Sequence, residues 1–129
     1  VSGITEKEKE ILGKLLKKHG SNRTEHFNGL SEAEQERLSI LAEECGEVVQ
    51  IVGKILRHGY ESFNPDDTFK TTNRSLLTKE IGDVAFITSF MVANGDIKSS
   101  TIEARIREKG KKIKQYFHHQ ENKEDENGQ

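Results

Sequence analysis

The chain has 129 residues, 32% of them hydrophobic and 33% charged, with one Pro and no Trp, and that length argues for a single domain. Leu, Ile, Val and Phe make up about a quarter of it, above the roughly one-fifth below which a charged sequence stays disordered. The formal net charge of -2 lacks the basic field that draws a protein to nucleic acid or anionic lipid, so neither partner is expected.

No apolar run approaches the roughly 18 residues of a membrane span, and no basic-then-apolar leader opens the chain, so a cytoplasmic location is expected. The single Cys45 cannot pair within the chain and falls in a helical pattern, where it reads as a small buried hydrophobe in a reducing compartment. So polar a composition leaves a lone domain little apolar surface to set against chain entropy, and a homodimer or homotetramer is the expected state.

The first periodic segment, TEKEKEILGKLLKK, has capping-box spacing from Thr5 to Glu8 and an apolar stripe of Ile11, Leu12, Leu15 and Leu16, which predicts a short amphipathic helix. An aperiodic, Gly- and Asn-containing stretch follows as a loop. A second capping box, Ser31 to Glu34, opens the longest helix, with Leu38, Leu41, Ala42, Cys45, Val48, Val49, Val52 and Leu56 as its apolar positions up to Gly59. Gly46 and Gly53 lie within it, and each costs about 1 kcal/mol against Ala in a helix interior, which predicts a close helix approach there.

Segment 60–72, with the only Pro and two adjacent Asp residues, reads as a long loop. It is either a substrate lid that touches a ligand through Phe63, Asn64, Asp66 or Asp67, or a plain connection. Asn73 is placed to cap a third helix carrying Leu76, Leu77, Ile81, Val84, Ala85, Thr88 and Met91, with Gly95 as its stop. Ser100 and Glu103 open a fourth, whose inward stripe is Ile102, Ile106, Gly110, Ile113 and Phe117. No alternating β-branched run competes, so the fold class is all-α: a four-helix bundle over residues 1–117 with a possible extra N-terminal helix. Residues 118–129 form a polar tail, in which His118 and His119 are adjacent, point in different directions and are read as inert.

Chemistry concentrates in LAEECGEVVQ and KEIGDVAF. Glu44 and Glu47 are three apart, as are Glu80 and Asp83, so each pair projects from one helix face. Both faces border an apolar stripe, and antiparallel packing of the two helices would bring four carboxylates together. Their mutual repulsion calls for a cation. An oxygen-only set suits Mg²⁺, with Mn²⁺ as substitute, and the absence of His or Cys at ligand spacing argues against zinc. Mg²⁺ bridges to phosphates, which makes phosphoryl chemistry the natural activity.

Glu43-Glu44-x-x-Glu47 followed by Glu80-x-x-Asp83 resembles the motif of the MazG-like all-α nucleoside triphosphate pyrophosphohydrolases, a superfamily that includes dimeric dUTPases, dCTP pyrophosphatases and phosphoribosyl-ATP pyrophosphatase. The resemblance runs from about Leu38 to Tyr116 and is nearest to small single-domain bacterial and phage members. These share the Lys-x-x-Arg-x-Gly ending of the first motif helix, here Lys54 to Gly59, and a Lys-rich last helix.

The resemblance implies Mg²⁺ ligation by Glu44, Glu47, Glu80 and Asp83, with Glu43 joining a second metal or orienting the attacking water, so that Glu43 and Glu44 stand as the catalytic pair. It also implies that Lys54, Arg57, Lys109 and Lys112 hold the triphosphate of a nucleotide substrate, here expected to be a deoxyribonucleotide. The spacer 48–79 is longer than is common in the family, so no base-recognition residues are carried over.

Other readings compete. The acid pairs could be a solvated face. Lys54 and Arg57 could simply complement the carboxyl end of their helix, and Lys109 and Lys112 could be a solvated stripe. Phe86 and Phe90 read as core or subunit contact. A non-enzymatic helical adaptor is the main functional alternative. Phosphoribosyl-ATP pyrophosphatase activity is a lesser one, as is a di-iron bundle, which would require Glu-x-x-His on two helices.

Overall fold

The computed structural model describes residues 5–19 and 28–120, with side chains described at 5–14 and 28–120. Four α-helices account for most of them: α1 (Glu6–His19), α2 (Glu32–His58), α3 (Asn73–Ala93) and α4 (Ser99–Ile113), followed by a 3₁₀ turn, Lys114–Tyr116. The described residues contain no β-strand, only a single antiparallel bridge between Phe63 and Thr72. None of the helices is long and apolar enough to cross a membrane.

Local chemistry sets the helix ends. At α1 the Thr5 N–H donates to Glu8 Oε2 at 2.7 Å while the Glu8 N–H donates to Thr5 Oγ1 at 3.3 Å, a reciprocal capping box. Ser31 and Glu34 repeat the arrangement at α2. Gly59 ends α2 at φ 89, a left-handed value that a side chain would strain. The cap of α3 differs from expectation: the hydroxyl of Thr72, not Asn73, accepts the Ser75 N–H at 3.2 Å. Asn73 is buried instead, and its side-chain amide donates to the Gly59 carbonyl at 3.0 Å.

Gly95, at φ 80, terminates α3 as expected. The Asp96 N–H reaches Met91 O at 2.9 Å and the Gly95 N–H reaches Val92 O at 3.0 Å, the paired bonds of a Schellman motif. A correction applies at α4, whose cap position is Lys98, without a side-chain cap bond, rather than Ser100.

The chain divides into two compact units, Val1–Ser89 and Phe90–Gln129. In the first, the Asn73–Gly59 bond ties the end of α2 to the start of α3, which makes the two helices an antiparallel hairpin. The side of α2 with least exposure carries Leu41, Glu44, Val48, Ile51 and Ile55, of which Ile51 is fully buried. Ile87 of α3, 1% exposed, is buried as well. Neither Ile51 nor Ile87 was among the expected apolar positions.

Several expected core residues are exposed instead. On α2 they are Leu38, Ala42, Cys45, Val49 (71% exposed), Val52 and Leu56 (82% exposed). Cys45 is thus an exposed thiol rather than a buried hydrophobe. The close approach expected at Gly46 and Gly53 does not occur among the described residues, since a Cβ built at either would meet nothing within 4 Å. Ile81 of α3 and Ile11 and Leu12 of α1 are exposed too, while the side chains of Leu15 and Leu16 lie outside the described residues.

In the second unit, Met91 is buried and Ile102 and Ile113 are half-buried, but Ile106 and Phe117 of the expected inward stripe are exposed. Residues 121–129 of the expected tail lie outside the described residues.

Candidate metal centre

Three carboxylates meet across the hairpin. One oxygen each from Glu44 and Glu47 of α2 and Glu80 of α3 all lie within 4.8 Å of one another. The three-residue spacing on α2 stacks Glu44 and Glu47 on one face, and the antiparallel hairpin brings Glu80 to their level. Glu80 is only 9% exposed, and Oε2 of both Glu44 and Glu80 is buried without a hydrogen-bond partner. An unserved carboxylate oxygen in a buried position is costly.

The electrostatics follow from this crowding. Burial raises the Glu44 pKa above the usual carboxylate range, and the negative charges of Asp83, Glu43 and Glu80 add to the effect. Glu47 is raised by its hydrogen bond to Glu80, with like-charge repulsion and burial contributing further. Glu44 and Glu47 therefore hold their protons to higher pH than isolated Glu side chains do.

Lys79 supplies partial relief. Its ammonium lies 3.3 Å from Glu80 Oε1 and 3.2 Å from Asp83 Oδ2, and these hydrogen bonds raise its pKa. Lys79 was not singled out in the sequence, although its i,i+4 spacing to Asp83 was visible there. Asp83 is near enough to act on Glu44 but stands outside the group of three, with its carboxylate engaged by Lys79. Glu43 is exposed on the α2 surface next to the cluster.

The donor set is all-oxygen and anionic, and two of its oxygens lack any donor. Those properties fit a hard divalent cation such as Mg²⁺.

Raised acid pKa values make a stability statement whose sign can be worked out. A carboxyl group with a higher pKa in the folded state binds more protons there than when unfolded, so its ionisation destabilises the fold as pH rises through that window. Glu8, Asp67 and Glu108 have lowered pKa values because they accept hydrogen bonds, and their contributions are lost only at still lower pH. In a chelator, the urea midpoint is therefore expected to rise as pH falls from about 7 to about 5, and Glu47→Gln should flatten the rise. A midpoint that falls over this interval would show that the carboxylates do not crowd one another in solution.

The basic candidates separate. Lys54 and Arg57, both exposed, border a cavity of about 630 Å³ where α2, the 60–72 loop and α3 meet. Lys109 and Lys112 lie on α4 in the second unit, where Lys112 donates to Glu108 at 2.6 Å. Phe86 and Phe90 are exposed on α3, and His118 and His119 are exposed beyond the 3₁₀ turn.

No family model, curated protein or solved structure matches the chain at a significant level.

Proposed function

We propose that the chain is a Mg²⁺-dependent nucleoside triphosphate pyrophosphohydrolase that converts a deoxynucleoside triphosphate to the monophosphate and pyrophosphate. The observation that carries this reading is the convergence of Glu44, Glu47 and Glu80 with two buried, unserved oxygens. A solvated acidic face would leave those oxygens in water, and an adaptor has no use for buried like charges. Asp83, one turn from Glu80, completes the ligand set once Lys79 yields it.

Bound there, Mg²⁺ would bind phosphate oxygens and withdraw electron density from phosphorus. Glu44, Glu47 and Glu80 hold the charge that places the ion. Glu43 accepts a hydrogen bond from the attacking water and aligns it. Lys54 and Arg57 hold phosphate oxygens.

Run in ¹⁸O-labelled water, the reaction is expected to place the label in the monophosphate, with pyrophosphate and little orthophosphate released. Label in pyrophosphate, or release of a diphosphate, would overturn the assignment of attack to the α phosphorus.

The same reading includes a homo-oligomer in which the helices complete a bundle, supported by the exposed apolar line along α2. It places the protein in nucleotide housekeeping, as the motif resemblance implies.

A further inference from the structure

The cavity at the loop end of the α2–α3 hairpin lies in register with the carboxylates. Lys54 is seven residues beyond Glu47 on α2, and Asn73 is seven residues before Glu80 on α3. Each step is two helical turns, roughly 10 Å. A ligand held at the carboxylates by one end can therefore reach the cavity with the other.

The cavity wall is assembled by loop chemistry. Pro65 follows Asn64 in a turn closed by the Asp67 N–H on Asn64 O at 2.9 Å, and Asn64 Oδ1 accepts the Asp66 N–H at 3.1 Å. Asp67 accepts the N–H groups of Phe69 at 3.0 Å and Thr71 at 2.8 Å. The Phe63–Thr72 bridge and the Asn73 N–H on Ser62 O at 2.8 Å close the loop onto α3. The wall is thus set before any ligand arrives, which lowers the ordering cost of binding.

Its lining combines two chemistries. Lys54, Arg57 and His58 face it with no ion-pair partner among the described residues, while the Asp67 carboxylate is already engaged by backbone N–H groups. Phe63, Pro65 and Leu76 supply an aromatic ring and apolar surface. A bare phosphate group would use the cations and leave the ring and most of the 630 Å³ idle. A flat ring that carries a phosphate uses both.

We propose that this cavity binds the nucleoside monophosphate half of the substrate, with Phe63 against the base and Lys54 and Arg57 reaching the α-phosphate from the loop end, so that the triphosphate runs from the cavity toward the carboxylates. This rests on the pyrophosphohydrolase reading and adds the orientation of the substrate and the residues that select its base. Asn64, whose Oδ1 is engaged, presents its NH₂ as a donor to the base edge.

The test is calorimetric titration of the full chain in a chelator with a panel of deoxynucleoside monophosphates and, separately, inorganic pyrophosphate. At least one monophosphate is expected to bind, and pyrophosphate is not. Phe63→Ala should weaken binding about tenfold or more, the effect of losing one base–aromatic stack. Phe63→Tyr should restore it, and Arg57→Gln should weaken it without touching the loop.

Metal-free binding of pyrophosphate that Arg57→Gln abolishes would reverse the orientation and overturn the proposal. Unchanged affinity in Phe63→Ala and Arg57→Gln, or no monophosphate binding at all, would also overturn it, while pyrophosphate release from triphosphates would leave the hydrolytic reading standing. Binding as expected in a protein that releases pyrophosphate from no triphosphate would uphold the nucleotide site and overturn the hydrolytic reading.

Discussion

Glu80→Gln is expected to abolish Mg²⁺-dependent stabilisation and to cut turnover by about a hundredfold or more, the scale of several kcal/mol of transition-state stabilisation lost with a metal ligand. In the wild type, Mg²⁺ at a hundred times its dissociation constant would stabilise the fold by about 2.7 kcal/mol through mass action. For a chain of this size that is roughly 10 °C in Tm.

The sign for the metal-free protein is opposite to that of an ordinary buried polar substitution. Glu80 sits within reach of Glu44 and Glu47 and leaves one oxygen unserved, so Gln removes a repelling charge while keeping the shape. The metal-free Tm of the variant should equal or exceed that of the wild type. Asp83→Asn should weaken the Mg²⁺ response less, because Asp83 stands outside the close group and is engaged by Lys79. A Glu80→Gln protein that melts lower than wild type without metal and keeps the full Mg²⁺ shift would mean that the three carboxylates form a proton-sharing structural network.

Features set by a few neighbouring residues could be read from the sequence. The Ser31–Glu34 box and the Gly95 stop depend on side chains and φ values within one turn, and both stand where spacing placed them. The i,i+3 acid spacing likewise announced that Glu44 and Glu47 share a face. Features that depend on two elements at once were hidden. The cavity exists only because Asn73 reaches back to Gly59 and Asp67 gathers two backbone N–H groups.

The buried side of α2 was not legible for a different reason. This helix carries two apolar lines, one through Leu41, Val48, Ile51 and Ile55 and another through Leu38, Ala42, Cys45, Val49, Val52 and Leu56. Periodicity shows that both exist but not which one the chain itself covers.

That second line carries the other large expected effect. Its residues recur at alternating steps of four and three, the spacing of a seam between two packed helices, and it runs roughly 27 Å along α2. Ser39, Gly46 and Gly53 flank it at seven-residue intervals, and a Cβ built at either glycine would meet nothing within 4 Å among the described residues, which leaves room for a neighbouring backbone. Covering a Val or Leu side chain fully is worth about 1.5–3 kcal/mol, so a seam of this length can hold two copies together at micromolar concentration.

Val49, near the middle of the line, is 71% exposed within the chain, and Val49→Glu should therefore cost the folded chain itself little. In a twofold assembly the same substitution enters the interface twice and leaves charges that must be desolvated without partners. Sedimentation at micromolar concentration is expected to show no monomer for the wild type and chiefly monomer for Val49→Glu. Cys45, one turn away on the same line, reports independently: its thiol should react slowly with a labelling reagent in the wild-type assembly and fast in the variant. A wild-type chain that sediments as a monomer, with Cys45 reacting at the rate of a free thiol, would show that α2 keeps this face open to water and that the chain needs no second copy to fold.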